Sequence, residues 1–202
     1  FSFVRMDGNL AFEKSTREVT LSDKTKTNVN MLALSGSHIN AFAGVGDFGF
    51  EITDMNFAFL AMTDKGDPKR QWTSLSGNAQ SVAFTGLPGI GIAGNNITLN
   101  VNFSSYDDLT VDFSAMPGFT IAGQELNVDF TRIKGIAGSF INLSGIFDFS
   151  AFDLIHYEKD FTFTIKLKSV ILSDGSTTNI TYFTAALTDI DLFAGANEGT
   201  ED

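Results

Sequence analysis

Apolar and polar residues alternate one by one over much of this chain, and a period of two is what a strand with one buried face requires. Phe161, Phe163, Ile165 and Leu167 alternate with Thr162, Thr164, Lys166 and Lys168, and Ile97, Leu99, Val101 and Phe103 with Thr98, Asn100 and Asn102. The same pattern runs through Leu126, Val128 and Phe130, and through Leu109, Val111 and Phe113. No i, i+3, i+4, i+7 stripe is sustained over three turns, and the best helical candidate, Phe57 to Met62, is short. The chain is therefore expected to be all-β. The expected architecture is elongated and built from repeats, β-solenoid-like, with a long-stranded β-sandwich as the alternative.

Turn signals separate the alternating runs: Asp7-Gly8, Ser35-Gly36, Gly46-Asp47, Gly94-Asn95-Asn96, Gly123-Gln124 and Asp174-Gly175. Such pairs tolerate the positive φ of tight turns. Asp64 to Arg70 is charged and contains Pro68, so it reads as the longest exposed loop, and it precedes the only tryptophan, Trp72.

Composition excludes several classes. With 202 residues, 43% hydrophobic, and 21 Phe, the chain can bury a real core in one domain or two small ones. No apolar run approaches the length of a membrane-spanning helix, so no membrane insertion is expected. A formal net charge of -11 repels phosphate backbones and anionic lipid, which makes nucleic acid a poor partner. The absence of cysteine removes disulfides, thiolate metal sites and thiol nucleophiles. Phe1 opens the chain without Met or a signal-peptide core, as in a processed product or a piece of something longer.

Internal repetition is the most informative feature for organisation. Leu21-Ser22-Asp23, Thr27-Asn28 and Phe42-Ala43-Gly44 recur as Leu172-Ser173-Asp174, Thr178-Asn179 and Phe193-Ala194-Gly195, always 151 residues apart and without a gap. Residues 1–151 are thus expected to be one β-rich repeat unit, and residues 152–202 the start of the next, packed on the first as one continuous structure.

The phrases Ala11-Phe12-Glu13-Lys14-Ser15-Thr16, Leu21-Ser22-Asp23, and Asp64-Lys65 through Pro68, Arg70 and Trp72-Thr73-Ser74-Leu75 resemble the tandem β-rich repeats of very long bacterial exported surface proteins, adhesin-like or haemagglutinin-like. That resemblance implies a secreted or cell-surface bacterial protein and a structural or adhesive module rather than an enzyme. Its partners would be neighbouring repeats or protomers, joined by strand-edge and face packing into a scaffold or filament. The resemblance carries over no functional residue.

Several constellations invite chemistry, and each has a plainer explanation. Gly89-x-Gly91-x-x-Gly94 and Gly44-x-Gly46-x-x-Gly49 match a dinucleotide fingerprint, but no helix follows either to receive a pyrophosphate. His38 and His156 lack the spacing of a zinc site, and no Gly-x-Ser-x-Gly elbow supports a hydrolase. Asp107, Asp108 and Asp112 are the candidate ligands for Ca²⁺, a hard cation that takes several oxygens, although no cofactor at all is the simpler expectation. Glu51 with Asp54, and Glu125 with Asp129, are spaced along strands and make weak glycosidase pairs. The Asn-x-Ser/Thr sequons at Asn96, Asn102, Asn142 and Asn179 arise from alternation itself. Trp72 with Asp64 and Asp67 is the candidate ligand site for the competing function, a glycan- or surface-binding β module with calcium assistance.

Overall fold

A computed structural model describes residues 3–106, 108–115, 120–125, 138–152, 154–188 and 193–194. The protein is all-β. Five long strands follow one another as β1 (Phe3–Thr20), β2 (Lys26–Val45), β3 (Phe48–Asp64), β4 (Gln71–Thr85) and β5 (Ile90–Ser104). A crossing segment then carries a single 3-10 turn (Phe113–Ala115) and a small hairpin of β6 (Thr120–Ile121) and β7 (Gln124–Glu125). The chain re-enters the sheet as β8 (Phe140–Ala151), β9 (Ile155–Ile171) and β10 (Thr177–Leu187), and β11 (Phe193–Ala194) lies against β9. The large sheet is an open antiparallel meander in the order β1-β2-β3-β4-β5-β8-β9-β10. From β1 to β10 each neighbour in sequence is the neighbour in space, apart from the excursion between β5 and β8, and β11 pairs with β9 beyond the end of β10. Neither the parallel coils of a solenoid nor a second sheet of similar size is found among the described residues.

The strands are longer than the turn signals imply, because several of those signals lie inside strands. Asp7-Gly8, Ser35-Gly36 and Gly94-Asn95-Asn96 fall within β1, β2 and β5. Register shifts between Asp7 and Asn9, between Gly36 and Ile39, and between Asn95 and Thr98 mark them as bulges rather than chain reversals. Gly8, His38, Asp54 and Asn96 have φ of 137°, 52°, 47° and 51°. These are Gly, His, Asp and Asn, the residue types that enter the left-handed region most readily. The short helical candidate Phe57 to Met62 belongs to β3, where Ala58, Leu60 and Met62 are buried on one face and Phe57, Phe59 and Ala61 are half-buried on the other. Both faces are apolar there, so alternation vanishes from the sequence while the strand remains.

One face of the sheet is covered at the end that bears the β1–β2 and β3–β4 connections. Val19, Leu21, Val29, Met31, Leu60, Met62, Trp72 and Phe140 pack with Val111, Phe113 and Ile121 of the crossing segment. The stretch 109–113, which alternates like a strand, is not one. It contributes a single bridge, Val111 to Leu21, before the 3-10 turn, and points its apolar residues down onto the sheet. The other alternating stretch in this region, 126–130, lies outside the described residues.

Candidate functional site

The Asp64–Trp72 loop is built as a structural joint. The Asp64 carboxylate is buried and accepts hydrogen bonds from the Gly66 N–H (2.7 Å), the Thr27 hydroxyl (2.9 Å), the Asp67 N–H (3.2 Å) and the Arg70 guanidinium (3.3 Å). Burial alone would raise its pKa. The Gly66 and Asp67 amides, the Thr27 hydroxyl and the Arg70 charge more than offset that, and the carboxyl sits below its ordinary value. Asp67 caps the same loop by accepting from the Lys69 N–H at 3.1 Å. Trp72 does not offer its ring to solvent. It is 1% exposed in the core, donates its indole N–H to the Leu109 carbonyl, and carries the Arg70 guanidinium 5.2 Å from its ring centre. The structure thus brings Trp72, Asp64 and Asp67 together at the β3–β4 connection, with Asp64 and Trp72 bonded inward and Asp67 half-buried within the exposed turn.

The acids around the crossing segment are divided. Asp107 lies outside the described residues. Asp112 is buried and accepts from the Lys24 ammonium and from both the N–H and the hydroxyl of Ser114. Burial again pushes its pKa up, and Lys24 with Ser114 brings it below the ordinary value. The carboxylate is thereby matched to a lysine of the first hairpin turn. Among the described residues no group of three or more His, Asp or Glu is placed to hold a metal ion.

Sequence reasoning missed a polar belt along the bulges. His38 Nδ1 lies 2.8 Å from Asp54 Oδ1, the Asp54 N–H donates to Asn40 Oδ1 at 3.0 Å, and Asn40 donates to Asp7 at 3.1 Å. Asn56 accepts from the His38 N–H and donates toward Asn78. These bonds stitch β1 to β4 where the ladder is interrupted, supplying partners that regular pairing would have given. Only residue type, Asn, Asp and His next to Gly, signals such a belt in the sequence.

An apolar row runs across the sheet on the face opposite the core. Phe12, Leu34, Phe59, Leu75, Val101, Ile141, Ile165 and Phe183 stand opposite one another, one from each of eight strands. A second row runs Val4, Ala43, Phe50, Phe84, Ile92, Phe149, Tyr157. The first row is half-buried at its middle and exposed at its ends, where Phe12 is 61% and Phe183 70% accessible.

The two ends of the sheet are related. The β1–β2 and β9–β10 hairpins share one register: Thr20 pairs Lys26 as Ile171 pairs Thr177, and Leu10 pairs Gly36 as Phe161 pairs Leu187, all at the 151-residue interval. Even the one-residue shift beyond the β2 bulge opposite Gly8 is repeated, since Phe42 pairs Arg5 as Phe193 pairs His156. The connecting turns match bond for bond. The Leu21 N–H donates to the Thr25 carbonyl and the Leu172 N–H to Ser176, each at 2.8 Å. Asp23 caps Thr25 as Asp174 caps Ser176. Lys24 and Gly175, equivalent positions, both have positive φ.

Among the described residues no helix is long and apolar enough to cross a membrane. Comparison with protein families, with characterised proteins and with solved structures returns no match.

Proposed function

We propose that this chain is a structural repeat module of a long exported bacterial surface or filament protein, and that its partners are neighbouring repeats or other copies of itself. The observation that carries the reading is the duplicated hairpin. A chain that reproduces pairing, bulge shift and turn bonds after 151 residues, in the same sheet, behaves as a unit joined to the beginning of its successor. Within the unit, six strand-to-strand steps lead from β1 to its counterpart β9, so each repeat widens the sheet by about 29 Å at ~4.8 Å per strand. Following the apolar row from Phe12 leads to Ile165, whose counterpart in the first hairpin is Lys14. Successive units are therefore staggered by only two residues, about 7 Å along the strand. Elongation proceeds sideways, strand by strand, with the apolar rows running on from unit to unit.

Two properties support assembly between copies. The outer edges of β1 and β10 have no strand partner among the described residues, and an unpaired edge is a template for another strand. The exposed ends of the apolar row at Phe12 and Phe183 gain burial when a neighbour continues it. The test is light scattering and electron microscopy across a concentration series. Oligomers or filaments that grow with concentration are expected, with Phe12→Glu and Phe183→Glu reducing them. Strictly monomeric behaviour at millimolar concentration overturns the reading.

A further inference from the structure

Resting on that repeat reading, we infer that the open edge of β1 is the seat of a strand with the β8 sequence, supplied by another repeat, in a register that sets Leu143 opposite Phe12. The inference comes from the counterpart of β1 within the same chain. β9 reproduces the pairing of β1 on one edge, and on its other edge it carries β8 through twelve consecutive antiparallel pairs, from Phe140 opposite Lys166 to Ala151 opposite Ile155. Moved back by 151 residues, the partners of Phe140, Ile141, Leu143 and Gly145 become Ser15, Lys14, Phe12 and Leu10.

The chemistry of the empty seat matches the filled one. Leu143 faces Phe163 in the sheet and would face Phe12, again a phenylalanine; Gly145 faces Phe161 and would face Leu10. Lys14 replaces Ile165 and can lay its aliphatic stem along Ile141 while its ammonium stays in water. Exposure points the same way. Phe161 and Phe163 are half-buried beside β8, whereas Leu10 and Phe12 are exposed. A slip of one residue would turn Leu143 toward the face occupied by Ala11 and Glu13, so the apolar pattern fixes the register. The extra residue of the bulge opposite Gly8 lies on β2, and β8 pairs with β9 without a shift through Lys159, the counterpart of Gly8, so the outer edge of β1 is open to the match from Val4 to Ser15.

The experiment uses the full chain and a synthetic peptide of residues 140–151 flanked by lysines, with cysteine in place of Leu143. The chain has no cysteine of its own, so each introduced thiol is unique. In a glutathione redox buffer, Phe12→Cys is expected to form the mixed disulfide at least tenfold more than Ala11→Cys, which tests slip, and Phe183→Cys, which tests the opposite edge. Equal yields at the three positions, no capture by any of them, or preferential dimerisation of Phe12→Cys chains would overturn the assignment. The repeat reading fails separately. A wild-type chain that stays monomeric but captures the peptide in register keeps the seat and refutes spontaneous assembly. A chain that assembles while Phe12→Cys captures nothing refutes the seat alone.

Discussion

The indole Nε1–H of Trp72 donates to the carbonyl oxygen of Leu109 at 2.7 Å, joining β4 to the segment that crosses over the sheet. Trp72 is also among the largest fully buried side chains, so one residue both fills the core and fixes the lid. Trp72→Ala is expected to cost about 3–5 kcal/mol through the cavity it leaves. Trp72→Phe retains most of the volume but loses the indole hydrogen bond to Leu109, costing about 0.5–1.5 kcal/mol. Urea denaturation of the two variants checks the order. Because this is the only tryptophan, wild-type emission should be blue-shifted and move red on unfolding.

Acid should loosen the same lid through Glu13. Its carboxylate accepts from the Ala122 N–H at 2.8 Å and from the Arg17 guanidinium at 2.8 Å, and these bonds, the Ala122 amide first, hold its pKa at about 2 against an ordinary 4.5. A carboxyl with a depressed folded pKa stabilises the fold fully above its unfolded value, and that contribution is lost as pH falls through the folded one. The window for Glu13 therefore runs from about 4.5 down to about 2. Asp64 and Asp112, also lowered, act in the same direction. Glu13→Gln is expected to destabilise by about 1–2 kcal/mol at pH 7, the range for hydrogen bonds to a charged group reduced by partial exposure, and hardly at all at pH 2. Thermal melts of both proteins across that range measure the difference.

How far the fold could be read ahead depended on which faces were buried. In β5 and β9 one face is more polar than the other, and Ile97–Phe103 and Phe161–Leu167 announced themselves by alternation. In β3 the run Phe57–Met62 is apolar on both faces and looked helical. Around 109–113 alternation reflects a segment lying across the sheet, which also needs every second side chain buried. Asp7-Gly8 and Gly94-Asn95-Asn96 illustrate a real ambiguity, because positive φ serves bulges as well as turns. The likeness of the two hairpin turns was legible because Asp23 and Asp174, Lys24 and Gly175, and Thr25 and Ser176 do the same local work. The inward use of Trp72 and Asp64 was not, because their partners Leu109 and Thr27 lie 37 residues away in each case.

Gly36 is a packing glycine within β2. A Cβ there would overlap the ring of Phe57 on the neighbouring strand and touch Ile39 at 3.0 Å. Phe57 thus lies across the bare backbone of Gly36, and Gly36→Ala forces the ring out of place. The expected cost is about 1–3 kcal/mol, measured by chemical denaturation. Restoring space with the double variant Gly36→Ala, Phe57→Leu should recover part of it, which a purely backbone effect would not allow.

The two matching turns offer a cleaner comparison, since Lys24 and Gly175 occupy equivalent positions in one conformation, with φ of 72° and 81°. No atom lies within 4 Å of a Cβ built on Gly175, so any penalty for a side chain there is local backbone strain of about 1 kcal/mol. Gly175→Ala should therefore destabilise the β9–β10 hairpin by that amount, read as faster amide exchange in β10 while β1–β2 is unchanged. At the other turn, Lys24→Ala and Lys24→Gly both remove the ammonium that meets Asp112, so the difference between them isolates the backbone. Lys24→Gly should be the more stable by about 1 kcal/mol. Both should fall below wild type, because the buried Asp112 carboxylate is left with Ser114 alone among the partners seen here. If Lys24→Gly instead exceeds wild type, the strain outweighs the ion pair, and the lysine is kept for its charge at the lid rather than for the stability of the turn.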